Sequence, residues 1–297
     1  MEGSLERWPT SRANQTHAWW LTAAVTVLAL ALGVATAPPA RASVTIGQLP
    51  TEAPSPSCTV DADYLEPSVT GGNLYIARQA GTITSWSTNS FDSGATYVFK
   101  VFRRTSDPDV FQVIARSAPH SLLRGLNTVP VSIPVRSGDM IGVNESGAPN
   151  SCTFVMSGDS VLSHPGDLAD GGAGEFSAVN DVRLNLSAVL APSNDFTLGT
   201  VTRDRRRGSA SVTAYVSNPG LVTISGSGLK KRNVEKTVAV PGPVPFQIAS
   251  TGSFKRRLER KGRVTIIPTV TFYPTGGEPA SKSLTVTLRK RRPMQPV

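Results

Sequence analysis

"FTLGTVTRDRRRGSASVTAYV" spans Phe196–Val216, and its reading decides the fold. On either side of four arginines (Arg203, Arg205, Arg206 and Arg207) apolar and polar residues alternate with a period of two, the pattern of strands that bury one face. Threonine, valine and aromatic residues fill both runs, and Gly208 supplies a turn residue. The stretch predicts a β-hairpin with the arginines at its tip. "NPG" at Asn218–Gly220 then turns the chain into "LVTISGSGL", and "VEKTVAV", "PVPFQIAS", "RVTIIPTVTFYP" and "ASKSLTVTLRKR" keep the same rhythm. About seven strands in roughly 100 residues predict an immunoglobulin-like β-sandwich. One segment breaks the pattern. "SFKRRLERKG" (Ser253–Gly262) predicts a short helix, with Ser253 as N-cap, Phe254 and Leu258 at i, i+4, and Gly262 closing it.

Upstream, the runs "GNLYIARQAGTITSWST", "ATYVFKVFRR", "VFQVIARS", "NTVPVSIPVRSGDMIGVN", "SCTFVMSG" and "VRLNLSAVL" are also short, alternating and rich in β-branched residues. Six to nine strands in about 145 residues predict a jelly-roll-like sandwich. Pro130 and Pro134 cannot donate ladder hydrogen bonds, which puts "VPVSIPV" at an edge or at irregular positions. The whole chain therefore reads as all-β, in two parts. Their boundary falls at "LAPSN" (Leu190–Asn194), where the charge also changes sign. Residues 43–190 hold 8 basic and 14 acidic side chains, a net of −6, whereas residues 191–297 hold 19 and 5, a net of +14.

Residues 1–42 read as a signal peptide. Arg7 and Arg12 supply a positive start, Ala18–Ala37 is uncharged, and Ala40 and Ala42 form an A-x-A site that places cleavage between Ala42 and Ser43. The alternative is an uncleaved anchor, because about 20 apolar residues can span a bilayer. No second run of that length follows, so no membrane span is expected after cleavage. Export fits the cysteine usage. The two cysteines, Cys58 and Cys152, form one disulfide on this reading, with a pair of buried thiols as the alternative.

The first part resembles a group of secreted actinobacterial proteins of unknown function. The resemblance rests on "VTIGQL", the early cysteine, "GTITSWST", "LNTVPVSIPVRSGDMIGVN", the later cysteine and "RLNLSAVL". The second part resembles an immunoglobulin-like module of exported proteins from the same bacteria. Here the carriers are "FTLGTVTRDRRRGSASVTAYVSNPGLVTISGSGLKK", "FKRRLERKGRVTIIPTVTFYPTGG" and the basic last strand. The resemblance implies export and β folds, and it implies no reaction.

Catalytic signals are sparse. Of three histidines, His17 lies in the leader, His120 in "SAPHSLL" reads as an exposed loop residue, and His164 opens "SHPGDLADGGAGE". Asp167, Asp170 and Glu175 in that stretch are candidate ligands for a structural Ca²⁺, which wants several oxygens on flexible backbone; the alternative is a solvated acidic loop. No G-x-S-x-G, H-E-x-x-H or phosphate-cradling glycine loop occurs. A non-catalytic binding or structural role at the cell surface is therefore expected over its alternative, an extracellular polysaccharide hydrolase using carboxylates of the first part. Trp86, Tyr64 and Tyr75, with Phe91, are the candidates for stacking on a glycan, unless they are core residues. Arg203, Arg205, Arg206, Arg207, Lys230, Lys231 and Arg232 are the candidates for holding a wall polyanion. Further basic clusters stand at Lys255–Lys261 and Arg289–Arg292. Most of these cations fall at turns instead of along one sheet face, and few aromatics accompany them, which argues against specific nucleic-acid binding.

Overall fold

The computed structural model describes residues 42–291 except 55–57, 149–150 and 232. The leader expected over residues 1–42 lies outside these residues apart from Ala42. Twelve strands form the first part: β1 (Val44–Gln48), β2 (Ala62–Leu65), β3 (Gly81–Ser90), β4 (Ala95–Arg104), β5 (Val110–Arg116), β6 (His120–Ser121), β7 (Gly125–Val135), β8 (Met140–Gly147), β9 (Thr153–Pro165), β10 (Ala173–Glu175), β11 (Ser177–Leu184) and β12 (Leu186–Pro192). They make two antiparallel sheets. One has the order β1-β12-β3-β7, and the other β10-β5-β4-β8-β2-β9-β11 with β6 added beside β4. The prolines of β7 sit where their missing N–H costs least, since β7 is an edge strand.

Alternation explains why the two sheets face each other. Ile83 and Trp86 of β3 and Leu186, Ala188 and Leu190 of β12 meet Tyr97, Phe99 and Val101 of β4 and Val143 of β8 in one core. Cys58 and Cys152 close this core with a disulfide across 94 residues of chain, their Cα atoms 5.8 Å apart. The opposite face of the larger sheet carries a second, smaller core. There Leu65, Phe102, Phe111, Val113 and Met140 are covered by Phe176. Phe102 fits because Gly142 has no side chain: a Cβ at that position would lie 2.7 Å from the phenyl ring. The glycine-rich stretch after His164, expected as a solvated loop, thus leads into a cover over apolar residues.

The second part contains β13 (Phe196–Leu198), β14 (Thr202–Asp204), β15 (Ser209–Val216), β16 (Gly220–Ser225), β17 (Asn233–Val238), β18 (Gly242–Ala249), α1 (Gly252–Lys261), β19 (Arg263–Ile266), β20 (Thr269–Pro274), β21 (Ala280–Ser283) and β22 (Val286–Arg289). The hairpin that decided the reading is present. β13 and β14 both pair with β15, whose other edge carries β18. A second sheet runs β17-β16-β20-β21, and β19 pairs with β22. Val212, Ala214, Ile224, Phe246, Val270, Phe272 and Leu288 pack between them as this part's core.

Two boundaries differ from expectation. The helix begins at Gly252, so Thr251 and not Ser253 is its N-cap, in an extended conformation and with no side-chain capping bond. Its C-terminal end is as read: Gly262 is left-handed at φ 70° and donates its N–H to the Leu258 carbonyl. In the first part β12 runs on to Pro192, beyond Leu190. The chain then turns on buried Asn218, which accepts from the Ala80 N–H and donates to the Ala80 and Ser193 carbonyls.

Candidate polyanion-binding surface

The tip of the β14–β15 hairpin is built by Asp204 and Gly208. Asp204 Oδ1 accepts from the N–H groups of Arg206 and Arg207 at 2.9 and 3.0 Å, so the acidic residue inside the arginine run serves as the turn's anchor. These bonds, that from Arg207 foremost, hold its carboxyl below the usual range. Gly208 has φ +68°, and a Cβ there would lie 2.9 Å from Cδ2 of Leu258. Only glycine both makes the turn and lets the tip close on α1.

That contact brings separate basic turns together. Arg291 donates its N–H to the Arg205 carbonyl, Lys290 to the Gly262 carbonyl, and Lys230 to the Ala249 carbonyl just before the helix. The guanidinium of Arg203 reaches the Thr287 carbonyl at 3.1 Å. The hairpin tip, the Lys230–Lys231 loop, α1 and the end of β22 therefore gather at one end of the second part. The cations stand at turns, and these turns converge. Arg205, Arg206, Arg207, Lys230 and Lys231 are exposed, and Arg232 lies outside the described residues.

The glycan candidates go elsewhere. Trp86 is fully buried, with its ring stacked on Phe99 at 6.0 Å, and Tyr64 and Tyr75 are 4% and 1% exposed. Tyr75 donates its hydroxyl to the Leu184 carbonyl, and Tyr64 to that of Thr59. None of these three presents a ring to solvent, which corrects their assignment as a stacking platform. Trp86 and Tyr64 turn into the first core from β3 and β2, and Tyr75, in the segment between those strands, packs into the same core. Phe91 is 41% exposed.

The proposed calcium ligands are not brought together either. Asp167 pairs with Lys100 at 2.6 Å and with Arg116 at 3.5 Å, and Asp170 lies 3.8 Å from Arg116. Among the described residues the one set of three donors close enough to share an ion is Cys58, Glu145 and Cys152, whose sulfurs are joined to each other. His164 instead lays its ring against Phe176, 5.3 Å between centroids, and meets the Glu175 carbonyl at 2.8 Å.

Sequence reading missed the buried ion clusters. On the outer face of the larger sheet, Lys100 donates to Asp63 at 2.5 Å, to Asp167 and to the Leu168 carbonyl. Asn144 adds a bond to Asp63 at 2.8 Å and another to the Gly166 carbonyl. Burial raises the Asp63 pKa even against the Lys100 ammonium beside it. A second cluster joins Arg183 to Asp159, with Glu66 and Tyr75 close by. Burial pushes Asp159 up, but bonds from Thr70 and Arg183 outweigh it and hold the carboxyl below its usual range. Chemically these groups are engaged: the first cluster pins the 166–172 segment to the sheet. The alternating pattern gives only one hint of it, a lysine in the middle of "YVFKVF".

No family of known sequence pattern matches the chain, and no curated protein does. Among solved structures it is similar to a GH2 β-galacturonidase from Eisenbergiella tayi bound to galacturonate, at 9% identity and a TM-score of 0.25, over 84% of this chain and 44% of that one. A glycerol-bound structure of a GH2 β-galacturonidase from the same organism gives 8% identity and 0.23, over 84% and 43%. The chain thus spans less than half the length of either enzyme. A likeness at this level says nothing of activity.

Proposed function

We propose that this is an exported, non-catalytic protein of the cell envelope. It is a jelly-roll-like sandwich over residues 43–190 followed by an immunoglobulin-like one over residues 191–297, released by cleavage after Ala42 and retained on anionic wall polymers by the charge of its second part. The observation that carries this reading is the gathering of the basic turns, the tip at Arg205–Arg207 among them, at one end of a part with net charge +14. Like charges held together cost self-repulsion, and a polyanion relieves it while releasing its own counterions. The disulfide supports export, because such bonds persist outside the reducing cytosol.

The test is retention of the purified protein on isolated cell walls across a salt series. Binding should fall steeply and linearly on a log–log plot, because at about 0.15 M salt charges more than roughly 8 Å apart are screened. Equal retention on walls stripped of their anionic polymer would refute the reading.

A further inference from the structure

The converging turns enclose a hollow of about 230 Å³. Arg207, Lys230, Lys255 and Lys290 line it, together with Ser250 and Thr251. Its one carboxylate belongs to Glu259, which stands 4.0 Å from Lys255 and partly occupies that ammonium alone. Arg207 is shared with Asp204 at 3.7 Å, which leaves Lys230 and Lys290 as the unpaired cations of the hollow. Among the described residues neither Lys230 nor Lys290 has a carboxylate within ion-pair distance. For Lys290 this matters most, since its side chain is half-buried, with its Cβ and Cδ against Gly208, and is poorly placed to be screened by water.

The neutral groups of the hollow agree. Ser250 is 7% exposed, lines the cavity, and makes no side-chain hydrogen bond to any described residue. Thr251 withholds its own hydroxyl from the helix it caps, and the first turn of α1 contains no acidic residue. Ammonium groups, a guanidinium and hydroxyls arriving from four segments suit an anion that accepts bonds in three dimensions. A planar carboxylate would be better matched by paired arginine forks. The volume sets the size of the ligand. It lies below the roughly 300–1,000 Å³ of sites that take a whole drug-sized molecule, so it admits a single small group.

We infer that this hollow is a binding site for one phosphate group, presented by a phosphodiester-linked polymer of the envelope. The inference rests on the retention reading above and sharpens it, from a charged end to a discrete site. Lys230, Lys255, Lys290 and Arg207 supply the charge, and Ser250 supplies a hydroxyl at the wall of the hollow.

The experiment compares three forms of the full chain. They are the unaltered protein, the pocket variant Lys230→Ala/Lys290→Ala, and a charge-matched variant Arg124→Ala/Arg136→Ala in the first part. Inorganic phosphate is titrated by calorimetry, and retention on walls is measured in parallel. Saturable phosphate binding, weakened about tenfold or more in the pocket variant and unchanged in the charge-matched one, is the expected result. Equal weakening in both variants, or no saturation in the unaltered protein, would overturn the site while leaving diffuse retention standing. Saturable phosphate binding without any wall retention would keep the site and sink the retention reading. Single-stranded DNA displacing phosphate more effectively than a wall phosphodiester polymer would overturn the assigned source. Lys230 is exposed and Lys290 half-buried, and unchanged thermal unfolding checks that the variants remain folded.

Discussion

Glu66 offers the sharpest test of the interior. Its side chain is fully buried, Oε2 accepts from the Leu184 N–H at 2.7 Å, and Oε1 has no partner among the described residues. Burial, together with the nearby Asp159 carboxylate, outweighs the Leu184 bond and the Arg183 charge and raises its pKa from 4.5 to about 8. Tyr75 faces it as well, and its own pKa is driven well above the ordinary value by burial and by Glu66. The sign follows directly. A carboxyl whose folded pKa is raised binds its proton more tightly when folded. Its ionisation penalty is absent below pH 4.5, grows as the pH rises towards 8, and is constant above that. Each pH unit in the window is worth about 1.4 kcal/mol, so the penalty reaches roughly 3 kcal/mol by pH 7. Glu66→Gln removes the ionisation and keeps an oxygen for the Leu184 N–H. Urea unfolding of the two proteins at intervals from pH 5 to 8 should give similar stabilities at pH 5, with the variant increasingly more stable at higher pH. Carboxyls uncoupled from Glu66 cancel in the difference, and Asp159, held below its usual range, stays ionised throughout this window. If the two stability curves stay parallel from pH 5 to 8, the assignment of a proton-holding Glu66 is wrong.

Four further outcomes are expected. Replacing both cysteines by serine should cost up to about 4–5 kcal/mol of stability in denaturant titrations, the chain-entropy value for a loop of 94 residues. Lys100→Met leaves Asp63 buried without its ammonium and should destabilise by about 3–5 kcal/mol; limited proteolysis should then cut within residues 166–172, which the cluster pins. Trp86→Ala should cost about 3–5 kcal/mol by emptying the centre of the first core. Trp86→Phe should leave wall retention and any glycan-array signal unchanged.

Several of these features could be read from the chain alone. Alternation in "FTLG…VTAYV" gives a hairpin because a period of two has only one way to bury its apolar set; Arg205, Arg206 and Arg207 fall at the tip, whereas Arg203 lies within β14. Gly262 ends the helix as read, since a left-handed residue is needed there. The edge position of β7 follows from prolines that cannot donate. The start of α1 was less legible, because Thr251 and Ser253 are both acceptable N-caps by type and the choice lies with the packing of the preceding strand. The inward direction of Trp86 and Tyr64 was also open, since alternation names two faces without saying which one meets the opposite sheet.

The sequence by itself determined strands, turns, the charge asymmetry and the cysteine pair, all of which are local or compositional properties. Only the tertiary structure decided which residues meet. It turned an apparently solvated acidic stretch into the pinned cover of Lys100 and Phe102, and it drew Arg207, Lys230, Lys255 and Lys290 around one hollow. These four cations come from segments up to 83 residues apart, counting from Arg207 to Lys290, and no local pattern links them. Gly208 against Leu258 and the last strand against the hairpin bring them together, and those contacts exist only once the sheets have closed.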